Sequence, residues 1–130
     1  MDNSAESTNP ALNASLWNSG TNDYACDNTS DKIFLLSEKE ATTSDYEFTA
    51  YDQSGTGNSR IRVTTDYAKA NYAYQSTTDG YGGWWWLRSP SYRSSIYAHY
   101  IDYDGSAKYS RDVDYIYGGV VPALCLSSLE

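Results

Sequence analysis

Few residues of this chain have types that do acid–base or covalent chemistry, and they lie far apart. They are one histidine, His99, two cysteines, Cys26 and Cys125, and two aspartate pairs at i,i+2 spacing, Asp102 with Asp104 and Asp112 with Asp114. A Ser-His-Asp or Cys-His relay would have to use His99, and the strand-like stretch around it offers no orienting partner. His99 therefore reads as a lone surface histidine. Aspartates two apart share one face of a strand, but glycoside hydrolysis also needs one carboxyl in a shielded cleft. Two cysteines without CxxC spacing and a single histidine do not make a zinc site. No EF-hand loop occurs, and Asp102, Asp104 and Asp112 offer at most a loose cation cluster at a hairpin. The residue types argue against an enzyme and require no cofactor or structural metal.

What they favour is contact. From Ser91 to Tyr117 the chain is rich in Tyr, Ser and Asp, and seven of its 14 tyrosines fall there. Such composition is that of antibody paratopes, where Tyr gives large amphipathic contact at low entropic cost and small polar residues adapt their hydrogen bonds. The binding residues expected are Tyr92, Ser94, Tyr97, His99, Tyr100 and Asp102 on a first arm, with Tyr109, Arg111, Asp112, Asp114, Tyr115 and Tyr117 on the return. Tyrosines would supply area, while Arg111, His99 and the aspartates would set polarity and specificity. The competing account is a Tyr-rich sheet face of good strand propensity that meets only solvent, as in a structural module of a larger surface protein.

The elements that must position this segment can be read in chain order. Residues 1–30 are Asn-, Ser-, Thr- and Asp-rich and read as an irregular wrap, with at most a short helical turn around Ala11 to Trp17. Lys32 to Leu36 is a compact apolar run, hence a buried strand. Ser37-Glu-Lys-Glu40 then has the form of a capping box that starts a short helix through Ala41. Thr49 to Ser59 is a loop. Thr64-Thr65-Asp66 is an N-cap cluster ahead of a second short helix, Tyr67 to Tyr74.

Three adjacent tryptophans follow in Trp84-Trp85-Trp86-Leu87-Arg88-Ser89-Pro90, and successive side chains of a strand point to opposite faces. Either Trp85 and Leu87 are buried, or Trp84 and Trp86 with Arg88 opposite, and one indole is free to floor a binding surface. Ser95 to Tyr103 reads as a strand, Asp104-Gly105 as a two-residue hairpin turn, Ser106 to Val113 as the partner strand, and Val120 to Leu126 as a closing strand with Pro122 at an edge or bulge. The whole is an α+β domain, two short helices followed by a twisted antiparallel sheet.

Composition sets the outer bounds. A chain of 130 residues is one domain. A hydrophobic fraction of 40% with 15% aromatics excludes a disordered chain. The net charge is -8, and residues 1–50 carry nine Asp/Glu against Lys32 and Lys39. An acidic half without a basic stripe argues against nucleic acid and against an anionic membrane surface. No stretch is apolar enough to insert in a bilayer, and the first residues do not form a signal peptide. Leu129-Glu130 has the look of a vector-derived remnant, so localisation is not read from the N-terminus. Cys26 and Cys125 either close a long loop as a disulfide, which suits an extracellular setting, or are two buried thiols.

Asp31 to Ser37, Thr65 to Ala70, Trp85-Trp-Leu-Arg-Ser-Pro90, Ala98 and Ile101 ahead of Asp104-Gly-Ser106, and Gly119-Val-Val-Pro-Ala-Leu124 occur in an order that resembles a bacterial domain family of unassigned function. The resemblance covers roughly Asp31 to Leu126, with Val121 standing where that family usually has Arg. It implies a C-type-lectin-like fold, related to the variable proteins of diversity-generating retroelements and more distantly to formylglycine-generating enzymes. It further implies a scaffold whose segment 91–117 displays exchangeable residues. Adenine-directed mutagenesis of Asn codons excludes Trp, Met, Gln, Glu and Lys, and only Lys108 in this segment lies outside the permitted set. The copper-binding cysteine pair of the formylglycine enzymes and the Glu-Pro-Asn, Gln-Pro-Asp or Trp-Asn-Asp triplets of calcium-dependent lectins are absent, so neither activity is carried over. The expectation is a non-catalytic adhesin- or receptor-binding-type domain. It would meet a surface protein or glycan outside the cell, at the cell surface or on a phage particle.

Overall fold

In the computed structural model, residues 24, 32–48, 58–91 and 93–124 are described. The wrap 1–30 apart from Tyr24, the helical turn near Ala11 to Trp17, most of the Thr49 to Ser59 loop, both cysteines and Tyr92 lie outside them. The elements in chain order are β1 (Phe34–Leu35), α1 (Glu38–Ala41), two 3-10 turns (Ser44–Tyr46 and Asn58–Arg60), α2 (Asp66–Ala70), β2 (Trp85–Pro90), β3 (Tyr97–Ile101), β4 (Ala107–Asp112) and β5 (Pro122–Ala123). This is the expected α+β order of short helices before antiparallel strands. β2, β3 and β4 form one sheet in that order, and β1 pairs with β5 in a second.

The tryptophan run splits between the two faces of the sheet. Trp85 pairs with Ile101 and Ile101 with Ala107, and paired residues share a face. These three, with Leu87 and Ala41, form the buried core, against which Leu36 and Val121 pack. Trp86 pairs with Tyr100 on the opposite face. Trp84 joins them there, edge-on to Trp86 at 5.0 Å between ring centroids and to Tyr100 at 5.7 Å. Of the two arrangements open at the sequence level, Trp85 with Leu87 inward is the one adopted, with Trp84 and Trp86 building a second apolar layer.

Buried polar groups tie the core to its surroundings. The Trp85 indole N–H donates to the Arg60 carbonyl (3.1 Å), and the fully buried Arg60 donates through Nε to the Gly105 carbonyl (2.7 Å). Leaving such groups unpaired would cost about 1–3 kcal/mol each. The capping box of α1 forms as read: Ser37 Oγ accepts from the Glu40 amide (3.1 Å), and Glu40 Oε2 accepts from the Ser37 amide (2.8 Å). Arg88 of β2 donates to the same carboxylate and to the Leu35 carbonyl (3.3 Å), so one guanidinium holds α1 and β1 against the sheet.

Four expectations are corrected. The strand expected over Lys32 to Leu36 shrinks to two half-buried residues, because only Phe34 and Leu35 find partners there, and of the expected closing strand only Pro122 and Ala123 pair among the described residues. The second helix stops at Ala70 rather than Tyr74. A Schellman motif closes it, the Tyr72 amide donating to the Lys69 carbonyl (3.0 Å) and the Ala73 amide to Ala68 (2.9 Å). Tyr72 holds the left-handed position of that motif at φ 70°, where glycine is usual. The β3–β4 turn is a three-residue loop, since Gly105 N–H donates to the Asp102 carbonyl and Asp102 N–H to Ser106 (both 2.9 Å). Gly105, at φ 83°, therefore closes the loop as a bulge residue and is not the second half of a two-residue turn.

Candidate functional site

On the face away from the core, Arg111 lies among aromatic rings. It pairs with Ala98 in β3, on the same side as Tyr100. The β3–β4 register shifts between Ala98 and Tyr100. The guanidinium carbon sits 4.1 Å from the Tyr100 ring centroid, 4.3 Å from Trp84 and 5.4 Å from Tyr115. Each such contact contributes about 0.5–1 kcal/mol when exposed and more when desolvated.

The chain beyond β4 folds back across this face. Val113 N–H donates to the Ile96 carbonyl (2.9 Å), Tyr115 N–H to Asp112 (3.1 Å), Tyr74 N–H to Tyr117 (3.0 Å), and Gly119 exchanges bonds with Trp84 and Trp86 (2.9 and 3.1 Å). The return lays Tyr115 over Trp84 at 5.8 Å, with Tyr117 edge-on to Tyr115 at 5.3 Å. Gly118 makes that approach possible, because a methyl there would fall on the six-membered ring of Trp84 and on Nε1 of Trp86. Across from it Tyr103 packs against Tyr74 (6.0 Å) and Tyr81 (5.6 Å).

Between these walls is a cleft of about 340 Å³ lined by Tyr72, Tyr74, Trp84, Asp102, Tyr103, Arg111, Tyr115 and Tyr117. A pocket with flat aromatic walls and a few polar groups is the usual form of a small-ligand site. Its charges are asymmetric, with one cation, Arg111, and one carboxylate, Asp102, in the lining. Burial pushes the Tyr100 hydroxyl above its ordinary range; Arg111 opposes this, while Asp102 and Asp104 reinforce it. The Tyr103 hydroxyl is also raised, chiefly by the charges of Asp102 and then Asp104. Both phenols stay protonated at neutral pH and can donate.

The residues expected from sequence divide clearly. Asp102, Arg111, Tyr115 and Tyr117 line the cleft, and Tyr100 lies beneath Arg111 as a buried floor. Asp112 and Asp114 are exposed at the end of β4 and just past it. Asp114, Tyr115 and Tyr117 lie on the segment that follows β4. Ser94, Tyr97 and Tyr109 are half-buried and contribute nothing to the lining; Ser94 Oγ accepts from the Ile96 amide (3.4 Å), and the Tyr109 ring takes the Arg93 guanidinium at 5.2 Å. Tyr92 is outside the described residues.

His99 is a correction. It is 2% exposed, with Nδ1 2.7 Å from Oε2 of Glu38, itself buried in α1. It is neither on the surface nor in the cleft, because its side chain turns to the face where Glu38 of α1 meets it. The loose aspartate cluster also dissolves. Asp112 is at the far end of β4 from the hairpin, and Asp104 Oδ1 already accepts from the Ser106 amide (3.0 Å) and hydroxyl (2.6 Å). Among the described residues no three His, Cys, Asp or Glu side chains gather to hold a metal, and no helix is long and apolar enough to cross a membrane.

Three lining residues were not foreseen, Tyr72, Tyr74 and Tyr103, and Trp84 is the indole that the sequence left open, without naming it, for a binding surface. For Tyr74 a faint signal exists, its helical spacing from Tyr67. For Trp84 the signal is the strand alternation itself.

A family model described as Domain of unknown function (DUF6273) matches residues 5–128. No curated protein and no solved structure matches the chain.

Proposed function

The chain belongs to the DUF6273 family, and from its geometry we propose that it is a non-catalytic ligand-binding domain, of adhesin or receptor-binding type, whose site is the Tyr- and Arg-lined cleft. One observation carries the reading: four residues nominated by composition alone, Asp102, Arg111, Tyr115 and Tyr117, converge on a single concave site. A solvated Tyr-rich face would scatter them. Chemistry of the walls agrees, since aromatic rings give contact area and a few polar groups fix orientation.

The order of short helices followed by a twisted sheet, with a Tyr-rich segment returning over it, is in keeping with a C-type-lectin-like scaffold. Segment 91–117 would then be the displayed part, exchangeable in the manner of retroelement-diversified proteins. Such a domain meets its surface protein or glycan outside the cell, at the cell surface or on a phage particle. Probing a combined glycan and protein array with the wild-type domain and with Tyr117→Ala tests the reading. Capture that falls at least tenfold in the variant supports it, whereas capture unchanged by the variant, or no capture at all, sinks it. Sequences of related loci test the diversification separately, and differences scattered evenly along the chain would overturn it.

A further inference from the structure

We infer that the cleft takes a hexuronic acid residue, its carboxylate on the Arg111 guanidinium, its ring against the tyrosine walls and its hydroxyls toward Asp102. The inference rests on the binding reading above and names the ligand that reading leaves open.

The Tyr100 and Trp84 ring centroids lie 4.1 and 4.3 Å from the Arg111 guanidinium carbon and 5.7 Å from each other, their planes at 75°, so they flank the group on two adjacent sides. A guanidinium has five N–H donors, and the hydrogen bond with the Tyr100 hydroxyl uses only part of them. Among the described residues the close ion pairs are Lys69 with Asp66, Arg88 with Glu40 and His99 with Glu38; none engages Arg111. A half-buried guanidinium held against aromatic rings and without a carboxylate partner among the described residues is a prepared bidentate receptor for a planar anion.

The second polar group decides what accompanies the anion. Asp102 lines the same cleft, and its Oδ1 accepts from the Tyr103 amide (3.0 Å). Its charge repels a second anionic group at that wall and draws neutral hydroxyl donors, as an ionised carboxylate accepts only. The net charge of -8, with Asp104, Asp112 and Asp114 close by in sequence, likewise disfavours a densely sulfated or phosphorylated chain. A single carboxylate is tolerated because Arg111 answers it. The walls are flat rings, which suit a ring-shaped body, and about 340 Å³ is at the small end of ligand pockets, room for one or two sugar rings. One carboxylate, several hydroxyls and one six-membered ring together describe a hexuronic acid.

Isothermal titration calorimetry tests this with methyl glucuronide, methyl galacturonide, their neutral methyl glycoside counterparts and benzoate, on wild type, Arg111→Lys and Asp102→Asn. A uronide should bind at least tenfold tighter than its neutral counterpart and than benzoate. Arg111→Lys keeps the charge but loses the planar fork, and should cost the uronide tenfold or more while barely changing the neutral sugar. Asp102→Asn should weaken both sugars and leave benzoate unchanged. Neutral sugars that bind as tightly as uronides overturn the inference, and benzoate that does so makes the site one for aromatic carboxylates instead. If none of these probes binds while array capture still depends on Tyr117, the uronic acid is wrong and the binding reading stands. If array capture ignores Tyr117, both fall.

Discussion

Tyr72 sits at φ 70° in the left-handed position that ends α2, where glycine would relieve the strain, and it also lines the cleft. Stability and binding should therefore part company there. An L-residue in this conformation costs roughly 1–2 kcal/mol. Glycine removes that cost but adds roughly 0.4–1 kcal/mol of unfolded-state freedom. Comparing Tyr72→Gly with Tyr72→Ala isolates the backbone term, since both delete the ring and only one relieves the strain. The ring is 73% exposed, so its loss costs the fold little. Glycine should then exceed alanine by about 0.5–1 kcal/mol, the difference of those two terms, and melt about 2–5 °C higher by differential scanning calorimetry. Both variants should bind the array ligand more weakly than wild type, by similar factors. If the two melt together, or glycine lower, Tyr72 stores no strain. If both bind as wild type does, its ring is no wall of the site.

Trp85→Ala should abolish the cooperative urea transition. Emptying this site costs about 3–5 kcal/mol and strips the Arg60 carbonyl of its donor, out of a total near 5–15 kcal/mol; a normal transition would refute the packing described. Gly118→Ala should destabilise by about 1–3 kcal/mol through collision with Trp84 and Trp86 and weaken ligand capture with it; a variant of wild-type stability would show that the segment is not held against the indoles. Burial alone would raise the Glu40 carboxyl, but hydrogen bonds from Arg88 and the Ser37 amide, the Arg88 charge and the Ser37 hydroxyl bring it below its ordinary range. A depressed carboxyl stabilises the fold fully above its unfolded value, about 4.3, and that stability is lost as pH falls through the lower folded value. The stability gap between wild type and Glu40→Gln should accordingly be widest near neutrality and close in acid, and a gap that widened in acid would contradict the sign.

What could be read in advance was local. The capping box needs only Ser37 and Glu40, three residues apart, and it forms as written. Alternation required the tryptophans to divide, but which parity turned inward depended on Ile101 and Ala107, brought alongside by strand pairing that no short window contains. His99 was misread for the same reason: Tyr97 to Ile101 has no clean alternation, and the partner that buries the imidazole, Glu38, is far back in the chain. Half of the cleft was visible as a Tyr- and Asp-rich segment. Tyr72 and Tyr74 come from the chain just past α2, and the bond from Tyr74 to the Tyr117 carbonyl and the packing of Tyr74 on Tyr103 bring them across. The turn at Gly105 differed because its type is set by the Asp102 and Ser106 bonds, one residue wider than the Asp-Gly pair suggests.

The edge-on contact of Trp84 and Trp86, 5.0 Å apart with planes at 82°, has an optical consequence. Two indoles so close and so crossed couple their electronic transitions, and the coupled pair gives circular dichroism of opposite sign on either side of its absorption band. Trp85, on the other face, stands outside the pair. The protein thus carries an intrinsic chiroptical label, one member of which, Trp84, lines the cleft, separate from the chromophore in its core. A ligand that moves Trp84 would alter the couplet while leaving the core signal in place, so occupancy and unfolding can be told apart in one spectrum without any added dye.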